Sequence, residues 1–198
     1  MAASPIVFDD QHVDALRELA NIGAGNASIA LERLIGLPVE VSVPEVELVT
    51  VAQATAAAGR PDEDRYGIVL GVTGDFAARV LILIDPREAG PLYEGFGLQP
   101  GSPAAQSMLS ELGNILCAYY VGSLARAAGL EALPAPPQLV EDMLAAIFGA
   151  ALIGDGLASD PVLLLKSAFA VADRECEVKV LLIPQPGALE SLFEGLGL

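Results

Sequence analysis

The sequence predicts one α/β domain of the α+β type, in which long helices pack on a mainly antiparallel sheet. The strongest observation is an internal repeat, because the tail PLYEGFGL at residues 91–98 recurs as SLFEGLGL at residues 191–198. A β-rich apolar run precedes each tail, and a long helical pattern opens each half. We therefore expect a single domain over residues 1–198, built of two repeats (about 10–98 and 103–198) related by a pseudo-twofold axis.

Each repeat is predicted to begin with a long helix. The first covers about Gln11–Ile35 and the second about Pro103–Ala128. The residues at their ends are of the types that start and stop helices, and a proline in the first turn forfeits no helical hydrogen bond. These residues are Asp9 or Asp10 and Gly36 for the first helix, and Ser102 and Gly129 for the second.

A hairpin of apolar, β-branched strands follows in each repeat, after a connecting region. Two strands alone are marginally stable, so we expect the two hairpins to join in one sheet covered by the helices. The predicted hairpins are Tyr66–Thr73 with Ala78–Ile84, and Val162–Ala172 with Cys176–Ile183. The predicted connecting elements are a strand at Val39–Val43, a short helix near Val49–Ala58, and an apolar helix at about Leu139–Ile153 that follows the proline-rich LPAPPQ.

The composition excludes several classes of function. The net charge of −16 repels phosphate backbones, so nucleic-acid binding is not expected. No apolar run has the length of a membrane span, and MAASPIVFDDQ lacks the pattern of a secretory signal, so we expect a cytoplasmic protein. Cys117 and Cys176 lie far apart and His12 is the only histidine, which leaves no basis for a zinc site or a Ser-His-Asp triad.

Both long helices place the same polar side chains on one face. At about 100° per residue, Asp14, Glu18 and Asn21 fall within an arc of roughly 60°, opposite an apolar stripe that includes Leu16 and Leu34. The second helix repeats this geometry with Ser107, Glu111 and Asn114 opposite Leu109, Leu112 and Leu116. We therefore expect both polar faces to be exposed. Small residues on these faces, among them Gly23, Gly25 and Ala118, would let a macromolecule approach closely.

Glutamate and asparagine on an exposed helix suit a site that completes another protein's active site. An amide both donates and accepts hydrogen bonds, so it can hold and orient a water molecule. A carboxylate can pair with a partner's lysine and fix the approach. The nearest chemical parallel is phosphoryl transfer in GTPases, where a glutamine orients the attacking water.

The repeated pattern resembles that of the CheC/CheX/FliY phosphatases of bacterial chemotaxis. Their mark is D/S-x-x-x-E-x-x-N, often continued as N-I-G-x-G-N-A, and here it stands as DALRELANIGAGNA and SMLSELGN. Two intact motifs are most similar to CheC, whereas FliY carries a further C-terminal domain. The resemblance implies hydrolysis of the aspartyl-phosphate of the response regulator CheY. Glu18 and Glu111 would pair with the regulator's lysine, Asn21 and Asn114 would position water, and Asp14 and Ser107 would support them.

The resemblance also implies the partners and the metal. Mg²⁺ would be supplied by the regulator, so the chain needs no metal ligand or cofactor of its own. The deamidase CheD is a further candidate partner, with residues 133–153 as a candidate docking surface. The alternative function is a non-catalytic binding or adaptor module for the phosphorylated regulator, CheD or a flagellar-switch partner.

GAGNAS, residues 23–28, superficially resembles a phosphate-binding loop. Such a loop follows a strand and opens a helix, whereas this segment is predicted to lie in the middle of one. We therefore do not expect nucleotide binding there.

Overall fold

The computed structural model describes residues 9–152, 162–171 and 174–198. Its elements follow the same order in both halves of the chain. The first half contains α1 (Asp10–Ile35), β1 (Val39–Val41), β2 (Glu45–Val49), α2 (Val51–Ala58), β3 (Asp64–Gly74), β4 (Ala78–Ile84) and α3 (Gly90–Gly95). The second contains α4 (Pro103–Ala127), β5 (Ala132–Pro134), β6 (Gln138–Met143), α5 (Leu144–Leu152), β7 (Val162–Val171), β8 (Arg174–Pro184) and α6 (Ala188–Leu196).

The described strands form one antiparallel sheet in which the two halves meet at β4 and β8. Ala78 pairs with Pro184 at one end of this junction, and Ile84 pairs with Val178 at the other. Because the repeated tails lie 100 residues apart, exchanging the halves exchanges these two pairs. The register therefore has the symmetry of a twofold axis through the middle of the β4–β8 pair, as the repeat predicts.

The sheet separates two layers of helices. Residues such as Ile68 and Val80 point to the larger core, which contains the buried faces of α1 and α4 and those of α3 and α6. Their neighbours Leu81 and Leu83 point the other way, to a smaller core with α2 and α5. This alternation follows from the two-residue period of side chains along a strand. The domain therefore has three layers, and both motif helices lie in one of them.

The predicted long helices are confirmed, including their ends. Asp9 is the N-cap of α1 and its carboxylate accepts hydrogen bonds from the backbone N–H groups of Gln11 and His12. Gly36 ends α1 with a positive φ of 73°, a conformation that glycine adopts without strain. Ser102 caps α4 through its bond to the N–H of Ala105 at 3.1 Å.

The connecting regions differ from the prediction. The segment Gln138–Met143 is strand β6, not the start of a helix, and α5 begins only at Leu144. The short strands β2 and β5 were not predicted at all. Their backbone groups pair with the open edges of β7 and β3, a long-range match that no local apolar pattern reveals. The predicted end of the helix at Ile153 lies outside the described residues.

The second hairpin is longer than the first. Pairing between β3 and β4 ends at Val72 with Ala78, whereas pairing between β7 and β8 runs past Ser167 with Val178 to Val171 with Arg174. The extra pairs, from Ala168 with Glu177 to Val171 with Arg174, therefore extend the second hairpin beyond the length of the first.

Candidate functional site on the faces of the two long helices

The first motif lies on the solvent side of α1. Asp14, Glu18 and Asn21 are all exposed, as predicted, while Leu16 and Ala20 between them are buried. The backbone of α1 is fixed just before the motif by a capping box: the Asp9 carboxylate accepts from the backbone N–H of His12, and Nδ1 of His12 accepts from the backbone N–H of Asp9. The same Nδ1 atom lies 2.5 Å from the Asp9 carboxylate. This contact with His12 lowers the pKa of Asp9.

The second motif lies on α4 and differs from the first in its burial. Ser107 and Glu111 are exposed, but Asn114 is half-buried, so the prediction of a fully exposed face is wrong at this residue. Leu112 and Gly113, its neighbours, are buried. Asn114 therefore lies at the border between the motif face and the packed side of the helix.

The packed sides of α1 and α4 meet each other and the sheet. A Cβ atom on Gly23 would lie 3.0 Å from the backbone oxygen of Tyr119, so Gly23 allows the close approach of α1 to α4. The expectation that Gly23 serves an exposed face is therefore wrong, whereas Gly25 is exposed with no contact to a hypothetical Cβ. Leu34, predicted to face the core, is 43% exposed because it lies in the last turn of α1.

The motif side chains differ in their hydrogen bonds and ion pairs. Within residues 9–152, 162–171 and 174–198, the structure gives no hydrogen bond or ion pair to Glu18, Asn21, Glu111 or Asn114. Asp14 differs, because its carboxylate lies 2.5 Å from the guanidinium of Arg17. The motif glutamates and asparagines are thus available to a partner without first breaking a contact.

An open groove of about 560 Å³ lies beside the second motif. Ser107 and Glu111 form one side of it, and Tyr66, Tyr93 and Glu141 line the rest together with other residues. Burial, with the hydroxyl of Tyr66 beside it, raises the pKa of Tyr93, so that phenol stays protonated. Sequence analysis missed these three residues. The one available signal was Tyr93 itself, which replaces the phenylalanine of the other tail, Phe193.

Other reactive groups lie away from the motif faces. Cys117 is fully buried, and burial raises the pKa of its thiol to about 12. Across the described ranges, no three His, Cys, Asp or Glu residues are grouped as a metal site would require. No helix in the same ranges is long and apolar enough to cross a membrane. GAGNAS lies within α1, so the geometry of a phosphate-binding loop is absent there.

The segments that carry the two motifs match a known family. Residues 12–48 and 105–141 each match the CheC-like family model. The chain is 24% identical to the CheY-P phosphatase CheC of Bacillus subtilis (strain 168), with 95% of each chain covered.

Solved structures show the same fold. FliY of Thermotoga maritima superposes with a TM-score of 0.74 at 14% identity, with 97% of this chain and 98% of that one covered. The middle domain of FliM from H. pylori gives a TM-score of 0.72 at 12% identity, with 95% and 99% covered. The CheC-like family pattern is thus matched twice, once from each of the two long helices into the strands that follow it.

Proposed function

We propose that this protein is a phosphatase that hydrolyses the aspartyl-phosphate of the chemotaxis response regulator CheY. The observation that carries the proposal is the repeated Glu-x-x-Asn pair on α1 and α4. Both glutamates and Asn21 are exposed, Asn114 is half-buried, and none of the four has a hydrogen-bond or ion-pair partner among the described residues. The relative from B. subtilis, a CheY-P phosphatase by name, supports it. The fold alone does not, because one fold hosts many functions.

The proposed mechanism divides two tasks between the motif residues. Glu18 or Glu111 pairs with the lysine of the regulator's active site and so fixes the approach of the motif helix. One turn along, Asn21 or Asn114 then holds a water molecule in line with the phosphorus–oxygen bond to be broken. The water attacks phosphorus, the aspartate carboxylate of the regulator leaves, and inorganic phosphate is released.

In this proposal the metal belongs to the substrate. The regulator carries Mg²⁺, which neutralises charge on the phosphoryl oxygens during transfer. Asp14 and Ser107 act one turn before the glutamates as supporting residues. The salt bridge to Arg17 gives Asp14 a role in ordering the α1 surface. Ser107 is uncharged and cannot form such a salt bridge on α4. A cytoplasmic location goes with this proposal.

The test is the loss of phosphate from phosphorylated regulator in the presence of four forms of the protein. These are wild type, Asn21→Ala, Asn114→Ala and the double variant. We expect the double variant to leave only the regulator's own hydrolysis rate, since a positioned proton-transfer or water-orienting group contributes about 100-fold or more. A double variant as active as wild type would contradict the proposal.

The second candidate function is a non-catalytic module that binds the regulator, CheD or a flagellar-switch partner. The observation that favours it is the shared fold of FliM, which has been crystallised in a FliG–FliM complex from H. pylori. The same assay separates the two, because a binding module would slow or leave unchanged the loss of phosphate.

Docking of CheD at residues 133–153 is a further proposal, and burial limits which part of this segment a partner could contact. The apolar side of α5 is buried against the sheet through Leu144, Ile147 and Phe148, so that side is not free for a partner. Leu133 and Met143, in contrast, are 53% and 48% exposed. A CheD contact in this region would therefore involve the strands β5 and β6 and not the apolar face of the helix.

A further inference from the structure

The groove beside the second motif has an acidic character. Its charged lining residues among those described are Glu111, from the motif, and Glu141, from β6. Glu141 is exposed, and its carboxylate has no ion-pair partner in the described part of the chain. Two carboxylates at one recess favour a cation, since neither has an ion-pair partner among the described residues.

The rest of the lining agrees with a cationic occupant. Tyr66 and Tyr93 line the groove at 8% and 3% exposure, and aromatic rings favour ammonium and guanidinium groups. The N-terminus of α4 also borders the groove, but the backbone N–H of Ala105 is already bonded to the Ser102 side chain. The two carboxylates would repel an anion in the groove. A cation would be attracted by these carboxylates and by the aromatic rings.

The corresponding position on α1 holds an aromatic contact. The spacing of the motifs places His12 where α4 has Ala105, and the spacing of the tails places Phe193 where the first tail has Tyr93. The His12 and Phe193 rings pack edge to face with centroids 4.4 Å apart. A small residue and a phenol thus border the groove in one copy, whereas two rings in contact stand at the same positions in the other.

We propose that the groove formed by Glu111, Glu141, Tyr66 and Tyr93 receives a second lysine or arginine side chain of the phosphorylated regulator. This inference rests on the proposed function, because it extends the contact surface of the second motif. The regulator then engages α4 through two basic side chains, one at the Glu111 motif position and one beside Glu141. It engages α1 through the Glu18 contact without this recess.

The test measures binding and turnover at one motif at a time. Asn21→Ala leaves the second motif as the catalytically intact one, and Asn114→Ala leaves the first. For the Kd measurements, each background also carries the charge reversal Glu18→Lys or Glu111→Lys on its disabled motif, so that binding is measured at the intact one. In the Asn21→Ala background, Glu141→Gln is expected to raise KM, and the Kd for beryllofluoride-activated regulator, about fivefold with little change in kcat. Glu141→Lys is expected to have a larger effect. In the Asn114→Ala background, Glu141→Gln is expected to leave KM unchanged.

The matched control is Glu40→Gln, which removes an exposed carboxylate from β1. It is expected to leave KM and Kd unchanged in both backgrounds, and the melting temperature checks that each variant is folded. If both Glu141 variants bind like their Asn21→Ala parent, or if wild type binds no activated regulator, the inference is overturned. If the Glu141 variants change neither KM nor Kd but the protein still hydrolyses the phosphate, only this inference fails and the proposed function stands. If the Kd depends on Glu141 but no hydrolysis is found, only the proposed function is contradicted.

Discussion

The motif faces of α1 and α4 carry the same glutamate and asparagine in different surroundings. Beyond the motif on α1, Ile22 and Ile29 are each 50% exposed on either side of the open Gly25, which forms an apolar ridge. On α4, the distinctive feature lies before the motif, where the groove opens beside Ser107. The residues proposed for chemistry therefore recur in both repeats, whereas the surfaces that would receive a partner have diverged. The two sites are expected to share a mechanism and differ in binding.

The opposite sides of the two helices differ as well. On α1, Gly23 lies against α4 with no room for a side chain, and on α4, Gly113 lies in the same way against Ile68 of β3. The first glycine therefore fixes the distance between the helices, and the second fixes the distance from helix to sheet. Three sets of substitutions test how far the motif faces are independent of this packing.

The largest effect is expected for Gly113→Ala. The added Cβ would lie 2.5 Å from Cγ2 of Ile68, and this β-branched side chain has little rotamer freedom to yield. Overpacking of this kind costs about 1–3 kcal/mol, partly offset by the better helix propensity of alanine. We expect a net loss of about 1–2 kcal/mol in the free energy of unfolding, measured by urea denaturation. No loss would show that the sheet and α4 can move apart freely.

A smaller effect, confined to the regulator, is expected for charge reversal on the motif faces. Glu18→Lys in the Asn114→Ala background and Glu111→Lys in the Asn21→Ala background should each lower kcat/KM about tenfold, because the new ammonium opposes the regulator's lysine. The melting temperature should not change, since both glutamates are exposed and have no intramolecular partner among the described residues. A large fall in melting temperature would show that these side chains support the fold instead.

The smallest effect is expected for Gly25→Ala, the counterpart of Gly113→Ala. No heavy atom lies within 4 Å of the added Cβ, so the change brings the helix propensity of alanine without overpacking. We expect the free energy of unfolding to rise by about 0.5–1 kcal/mol. Turnover at the first motif should persist, because α4 has Ala118 at the equivalent position. Lost turnover in a stabilised variant would show that the regulator approaches α1 at Gly25 too closely for a methyl group.

The sequence by itself determined the repeat, the two long helices with their caps, the central hairpins and the residues of both motifs. These features depend on local periodicity, on cap chemistry and on similarity between the two halves, all of which are present in the order of residues. The exposed positions of Glu18 and Asn21 also followed from helical geometry, and the structure confirms them.

The tertiary structure alone decided the features that depend on contacts distant in the chain. The strand β6 forms because its backbone satisfies the edge of β3, and Gly23 is buried because α4 crosses it. The groove arises where α4, β3, β6 and Tyr93 of α3 converge, and the His12–Phe193 contact stands at the corresponding positions in the other repeat. Such features depend on which surfaces are brought together when the chain folds, and the local order of residues does not specify that.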